Sequence, residues 1–156
     1  MINSNEILAD FQLIGNRVSN FSIDTKNMSI KSAKAQLSYD FDYNVVNVEE
    51  SNNSYGGLIE FIASIKAKEK NSILFKISLK IEGAFIGNSK NLSLDEFKKM
   101  LQTNGIATLY QISRAYILSV SSLSGINPPI RLPMINVYSL LRKKQSAEMI
   151  NSSDTE

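Results

Sequence analysis

Residues 55–83 read YGGLIEFIASIKAKEKNSILFKISLKIEG, and this stretch decides the fold. It contains two runs that alternate between apolar and polar residues, Ile59 to Lys68 and Ile73 to Glu82, with Lys70-Asn71 as a tight turn between them. Alternation with a period of two predicts β-strands that each bury one face. The short polar links between such strands predict an antiparallel meander.

Two further strands precede this pair. The run from Ala33 to Val45 alternates throughout, and its phase slips at Val45-Val46, which predicts a β-bulge there. Residues Phe11 to Ile23 alternate less regularly because Gly15-Asn16 breaks the pattern, so the first strand is predicted to be kinked. Four strands are therefore expected before any helix.

The second half of the chain has helical spacing. Ser93 and Glu96 stand at the spacing of a capping box, which predicts a short helix that Asn104-Gly105 interrupts. A longer helix is predicted from Ile106 to Leu123, with Gly125 closing it and two prolines preventing its continuation.

An extended linker, Ile130 to Pro133, leads to a last helix that Asn136 caps. The apolar positions of that helix are Val137, Leu140 and Leu141, and its C-terminal end carries Arg142, Lys143 and Lys144, where cations favour the helix dipole. Strands followed by helices predict an α+β fold: a four-stranded antiparallel sheet, a long helix and a short C-terminal helix. We predict one domain over residues 1–146 and a flexible polar tail over residues 147–156.

The composition argues against catalysis. The chain has 156 residues, a net charge of +2, no Cys and no His, which removes thiolate nucleophiles, cysteine and histidine metal ligands and the usual general base. Asp95 and Glu96 are better explained by helix capping than by a metal site. We therefore predict a binding protein, with no catalytic residue, no cofactor and no metal ligand.

The sequence also indicates where the protein works. Residues Met1 to Glu6 lack the basic and apolar regions of a signal peptide. The longest weakly charged stretch, Ile106 to Ile126, contains Arg114 and many serines, unlike a membrane span. We predict a cytoplasmic protein that does not insert into a membrane.

Two sets of side chains are candidates for partner contacts. Tyr39, Phe41 and Tyr43 share one strand face and either belong to the core or form the floor of a groove. The long helix carries small residues that would let another backbone approach closely or would simply be exposed: Ala107, Ser113, Ala115, Ser119, Ser122 and Ser124.

Three segments of the sequence, taken in this order of elements, resemble a known protein family. Gly83-Ala84-Phe85 ends the fourth strand, residues 109–125 read LYQISRAYILSVSSLSG, and residues 129–137 read PIRLPMINV. This order resembles the SecB family of protein-export chaperones, in which a strand end, an aromatic and Arg-bearing helix closed by Gly, a Pro-x-Leu-x-Pro-like linker and an Asn-led last helix follow one another.

The resemblance implies an ATP-independent holdase that binds unfolded or precursor polypeptides, assembled as a homotetramer from two dimers. It places the peptide-binding groove at Phe41, Tyr43, Leu132, Met134, Val137 and Leu141. It places the oligomer interface at Ala115, Leu118, Ser119 and Ser122. Family members of this kind hand their clients to the SecA motor.

The charge pattern departs from the family. Export-linked SecB proteins are acidic and offer carboxylates to SecA, whereas the outward residues of the fourth strand are Lys76, Ser78 and Lys80. This pattern argues against SecA docking through that face. Two other kinds of SecB-like protein stay open: those that protect an antitoxin and orphan relatives without an assigned role.

Two other functions remain as alternatives. Lys66, Lys68, Lys76 and Lys80 would suit a single-stranded nucleic-acid binder, but by parity they lie on the strand face opposite the aromatic residues. The second alternative is a carrier that holds a hydrophobic ligand between sheet and helix. Gly56-Gly57 lacks the residues of a phosphate-binding loop.

Overall fold

The computed structural model describes residues 8–25, 35–70 and 72–153. Within them, four strands precede three α-helices, with a π-helical turn before the second helix. The elements are β1 Phe11–Thr25, β2 Gln36–Ser51, β3 Ser54–Glu69, β4 Ser72–Asn88, α1 Leu94–Met100, the turn Leu101–Gly105, α2 Ile106–Leu123 and α3 Val137–Ser153. The predicted α+β class is confirmed.

The strands form one antiparallel sheet in the order β1-β4-β3-β2. Strands β2, β3 and β4 form the predicted meander, but β1 lies beside β4, so the sheet as a whole is not a simple meander. Side-chain alternation tells which face a residue occupies and not which strand is its neighbour. The position of β1 lets Phe11 stack on Phe85 of β4, with ring centroids 5.0 Å apart.

The strand irregularities largely follow the sequence. The register of β2 against β3 shifts between Val45 and Asn47, which confirms the bulge. The register of β1 shifts between Leu13 and Gly15, as predicted, and again between Val18 and Asn20, which was not predicted. Several other predictions fall outside the described residues: the N-terminal segment Met1 to Glu6, the start of β2 at Ala33, and Asn71 of the turn, whose partner Lys70 has a φ of 52°.

Strands β3 and β4 bury most of one face under α1 and α2. The fully buried side chains of these strands are Ile59, Phe61, Ala63, Ile65, Ala67, Ile77, Leu79, Ile81 and Phe85. The residues between them, such as Lys66 and Lys80, lie on the opposite face with partial exposure. The period-two pattern therefore places the core on the helical side of the sheet.

The predicted interruption at Asn104-Gly105 is wrong, because the π-helical turn joins α1 and α2 without a break. Buried positions on one side of an α-helix recur every three or four residues, but Leu101 and Ile106, both fully buried, are five apart. A π-helical turn absorbs the extra residue and keeps both side chains on the sheet.

The predicted start of α1 and the predicted end of α2 are confirmed. The Ser93 amide donates to Glu96 Oε2 at 2.8 Å, and the Glu96 amide donates to Ser93 Oγ at 3.3 Å, which completes the capping box. The hydrogen bond from the Ser93 amide lowers the pKa of Glu96. At the end of α2, Gly125 has a φ of 75°, and the Ile126 amide donates to the Ser121 carbonyl at 3.1 Å, as in a Schellman motif.

Helix α3 begins as predicted and ends later. Asn136 Oδ1 accepts a hydrogen bond from the Ser139 amide at 3.1 Å, which confirms the cap. Because α3 continues to Ser153, Arg142, Lys143 and Lys144 lie in its middle, and their predicted position at its C-terminal end is wrong. Residues 147–153 are helical, while 154–156 lie outside the described residues; the domain boundary at residue 146 stays a prediction.

A serine in the middle of α2 is buried without a hydrogen-bond partner. Ser113 has no exposed surface, and its Oγ has no partner within the described residues. A buried hydroxyl without a partner costs about 1–3 kcal/mol. Ser113→Ala is therefore expected to raise the free energy of unfolding by about 1 kcal/mol or more, measured by urea unfolding.

Alanine also favours helices over serine by about 0.5 kcal/mol. Only a gain in stability above that amount therefore measures the unpaired hydroxyl. A loss of stability in Ser113→Ala would show that the hydroxyl is satisfied.

Candidate functional site

The linker between α2 and α3 is held against α2 by hydrogen bonds to three side chains of that helix. The Ile130 amide donates to Ser121 Oγ at 2.9 Å, Arg114 Nε donates to the Leu132 carbonyl at 3.1 Å, and the Tyr110 hydroxyl donates to the Pro133 carbonyl. Burial raises the pKa of Tyr110, which keeps its hydroxyl protonated and able to donate. The linker thus runs back along α2 as an extended segment.

An aromatic row on β2, formed by Tyr39, Phe41 and Tyr43, lies beside this linker. Phe41 stacks on Phe61 of β3 at 5.9 Å between ring centroids and meets Tyr110 edge-on at 5.6 Å. Tyr39 stacks on Phe41 at 6.4 Å. Because β2 is an edge strand, Tyr39 and Phe41 remain half-buried, whereas Phe61 is fully buried.

The predicted groove residues occupy different environments. Phe41, Val137 and Leu141 are half-buried against the core, and Met134 is 73% exposed, with its Sδ 3.2 Å from Arg114 Nη1. Tyr43 and Leu132 belong to the core, since they are 6% and 2% exposed. The structure brings these residues to one region of the fold, and their contact with a peptide stays a prediction.

Lys144 of helix α3 reaches the edge of β2. Lys144 Nζ lies 2.6 Å from Asp42 Oδ1 and 2.7 Å from the Tyr43 carbonyl oxygen. Leu141 and Val137 precede it by three and seven residues and therefore lie on the same side of the helix. This side of α3 faces the sheet.

The predicted interface residues lie on the outer side of α2. Ala115, Ser119 and Ser122 are exposed and Leu118 is half-buried. Between Ile106 and Leu123 the one charged residue is Arg114, and it binds the linker. Ser113 does not share this side, because it is buried against the core. An uncharged helix face with small side chains is therefore open.

Known proteins resemble this chain in structure. Its structure is similar to that of the Mycobacterium tuberculosis Rv1957 SecB-like chaperone, solved in complex with a ChAD peptide from the Rv1956 HigA1 antitoxin. The two are 13% identical, the match covers 81% of this chain and 91% of that chain, and the TM-score is 0.58. The fold is SecB-like.

A protein of unknown function from Streptococcus agalactiae also matches, with 15% identity, coverage of 80% of this chain and 97% of that chain, and a TM-score of 0.41. No protein-family model matches the sequence, and no curated protein matches it.

The face of the SecB-like sheet opposite the helices, which we call the open face, carries mixed charges. Lys76, Ser78 and Lys80 lie on it, as predicted, but Lys80 Nζ is 3.2 Å from Glu60 Oε1. On the same face, the Arg17 guanidinium donates to Glu82 at 2.7 Å, and this hydrogen bond lowers the pKa of Glu82. The face is therefore neither acidic nor uniformly basic.

This geometry gives little support to the two alternative functions, a single-stranded nucleic-acid binder and a carrier of a hydrophobic ligand. The lysines of the open face and the aromatic row of β2 lie on opposite faces of the sheet, whereas a stacking platform for single-stranded nucleic acid needs both on one surface. Among the described residues, depressions of about 430 and 420 Å³ lie at the end of the sheet near Asp10 and on the open face near Leu58. Neither lies between the sheet and α2, where a carrier would hold its ligand.

Sequence reasoning missed the residues that hold this site together. Tyr110, Arg114 and Ser121 fasten the linker, and Lys144 fastens α3, yet none was predicted in that role. The spacing of four and seven residues between the three α2 positions, which keeps them on one side of the helix, was the available signal. A contact between Lys144 and a strand about a hundred residues away leaves no such signal.

Two further features of the described residues bear on other functions. No helix there is long and apolar enough to cross a membrane. No group of three or more acidic residues there is placed to hold a metal ion.

Proposed function

We propose that this protein is an ATP-independent chaperone that holds unfolded or unassembled polypeptides in the groove between the aromatic row of β2, the linker and α3. The observation that carries the proposal is the exposure of Tyr39 and Phe41 on the face that α1 and α2 otherwise cover. Apolar side chains left half-exposed at the edge of a small core are typical of interaction sites. Holding a client in this way needs no catalytic residue.

The linker illustrates how the fold can hold an extended chain. It buries Ile130 and Leu132 while α2 side chains bind its backbone. A client segment is proposed to bind nearby in the same manner, with apolar side chains against Phe41, Val137 and Leu141. Each contact is modest, so affinity comes from several of them together.

The proposed client is an unassembled protein of the cytosol. The similar M. tuberculosis chaperone was solved with an antitoxin peptide, which supports a polypeptide partner. The mixed charges of the open face give less support to SecA, which binds acidic surfaces of the export chaperones. We therefore place an antitoxin-like client ahead of a SecA-bound precursor.

The proposed assembly is a homotetramer. Its interface is assigned to Ala115, Leu118, Ser119 and Ser122, where α2 offers an uncharged face of small side chains. Several grooves in one particle would bind separate segments of one client, which raises the avidity roughly 10²–10⁴-fold over a single groove.

The test is suppression of aggregation of a reduced, unfolded protein without ATP. Phe41→Asp is expected to lower this activity about tenfold or more, because a carboxylate replaces an apolar contact in the groove. Leu141→Asp and Met134→Asp should act in the same direction. Met134 is 73% exposed, so its replacement is expected to leave folding intact.

Val46→Asp is the matched control, since Val46 lies on the same strand at the bulge and is 52% exposed. It is expected to retain full activity. Circular dichroism separates loss of binding from loss of folding. Equal activity of the wild type and all three groove variants would remove the groove assignment, and a wild type without activity would remove the proposed function.

A further inference from the structure

Arg114 carries a positive charge that no carboxylate neutralises within the described residues. Its Nε donates to the Leu132 carbonyl at 3.1 Å, and its Nη1 donates to Gln111 Oε1 at 3.0 Å and lies 3.2 Å from Met134 Sδ. All three acceptors are neutral, and a thioether is a weak one. A carboxylate would therefore bind the outer nitrogens of this guanidinium more strongly than the amide and the thioether do.

The guanidinium lies where α2, the linker and the aromatic row meet. Tyr110 precedes Arg114 by one helical turn and meets Phe41 edge-on at 5.6 Å between ring centroids. Burial is the main cause that raises the pKa of Tyr110; the charge of Arg114 lowers this pKa, and Tyr39 raises it further. Because such interactions weaken with distance, Arg114 and Tyr39 both lie near the Tyr110 hydroxyl. A client segment against Tyr39 and Phe41 would therefore pass close to the guanidinium.

The surrounding segments add positive charge. Residues 106–147, which form α2, the linker and the first part of α3, contain no Asp or Glu. Their five cations are Arg114, Arg131, Arg142, Lys143 and Lys144. Of these, Lys144 is paired with Asp42 at 2.6 Å. Charge of one sign around a groove attracts ligands of the opposite sign.

We propose that Arg114 selects clients whose apolar segment carries an acidic side chain, by binding that carboxylate at the end of the groove. This inference rests on the proposed function and names its client class. A guanidinium matches a carboxylate with two parallel hydrogen bonds. The carboxylate would replace the Met134 sulfur on Nη1, while Nε keeps its hydrogen bond to the Leu132 carbonyl.

The test uses two fluorescently labelled apolar peptides that differ only in one central residue, Glu or Gln. Both ends are capped, so no terminal carboxylate takes part. We expect the wild type to bind the Glu peptide about five- to tenfold more tightly, measured by fluorescence anisotropy. In about 1 M salt this preference should shrink, because salt screens the charges.

Arg114→Gln removes the charge and should abolish the preference for the Glu peptide. The ratio of the two affinities isolates the pair of charges, because any general effect of the substitution on the linker acts on both peptides alike. Arg17→Gln is the matched control: it makes the same change on the open face, where the Arg17 side chain is 75% exposed, and should keep the preference.

A second pair of variants leaves Arg114 and its hydrogen bond to the linker in place. Met134→Glu puts a carboxylate beside the guanidinium and should abolish the preference by occupying it. Met134→Gln introduces a neutral side chain of the same length and should keep the preference. Met134 is exposed, so neither change disturbs the core.

The outcomes separate the client class from the proposed function. Equal binding of the two peptides to the wild type would overturn the selectivity and leave the proposed function standing. A preference that survives Arg114→Gln, or that Arg17→Gln removes as well, would overturn the role of Arg114. If the wild type binds neither peptide and no unfolded protein, the proposed function fails and the selectivity fails with it.

Discussion

Replacing Phe97 by alanine is expected to lower the free energy of unfolding by about 3–5 kcal/mol, which urea unfolding would measure. Phe97 is fully buried where α1 meets the sheet, with its ring centroid 5.7 Å from that of Phe11 and 5.5 Å from that of Tyr55. It joins β1, β3 and α1 in one aromatic cluster. Its loss would leave a cavity that the surrounding strands cannot fill.

The cluster depends on a glycine opposite the ring. A Cβ at Gly87 would lie 2.4 Å from Phe97 Cδ2, so Gly87→Ala should destabilise the fold by about 1–3 kcal/mol. In the double variant the new methyl group occupies space that the ring has left. We expect the combined loss to fall short of the sum of the single losses by about 1 kcal/mol or more.

Gly56 provides the matched control, because a Cβ there meets nothing within 4 Å. Gly56→Ala should change stability by a few tenths of a kcal/mol, like other surface changes away from special sites. Strictly additive losses for Phe97 and Gly87 would contradict the proposed packing of the ring on the glycine.

The sequence predicts the local elements because their signals are local. The alternation in β3 and β4, the Ser93–Glu96 capping box and the closure of α2 at Gly125 each depend on residues within a few positions of one another. Such patterns report on the face and the ends of an element. They could therefore be read without knowing the rest of the chain.

The errors concern contacts between distant residues. The place of β1 beside β4 depends on Phe11 meeting Phe85 and Phe97, and alternation alone does not reveal this. The π-helical turn lets both Leu101 and Ile106 be buried against the sheet, and the Asn-Gly pair within it does not break the helix. In both cases tertiary packing overrides the local signal.

In the candidate site, too, local features were predicted from the sequence and contacts between distant residues were not. The position of Phe41 on the covered face follows from strand parity and was predicted. The burial of Leu132 was not, since an extended linker has no periodicity to show which side chains point inward. The contact of Lys144 with β2 also escaped, because it joins residues about a hundred positions apart.

Ala115→Arg is expected to halve the mass of the particle. In the proposed tetramer, with about four times the 17.4 kDa of one chain, Ala115 lies where two α2 helices approach closely. An arginine there is too long for the contact and would bury an unpaired charge, which is strongly unfavourable. Light scattering should show a dimer, and the loss of avidity should weaken the holding of long clients more than that of short peptides.

Ala147→Arg makes the same substitution at an exposed position of α3, outside the proposed interface, and should leave the mass unchanged. This comparison distinguishes a specific interface from a general effect of added charge on association. A wild type that is monomeric, or an Ala115→Arg particle of unchanged mass, would contradict the assignment of α2. Because the groove residues lie on β2, the linker and α3, a short peptide should still bind the dissociated particle, which separates assembly from client recognition.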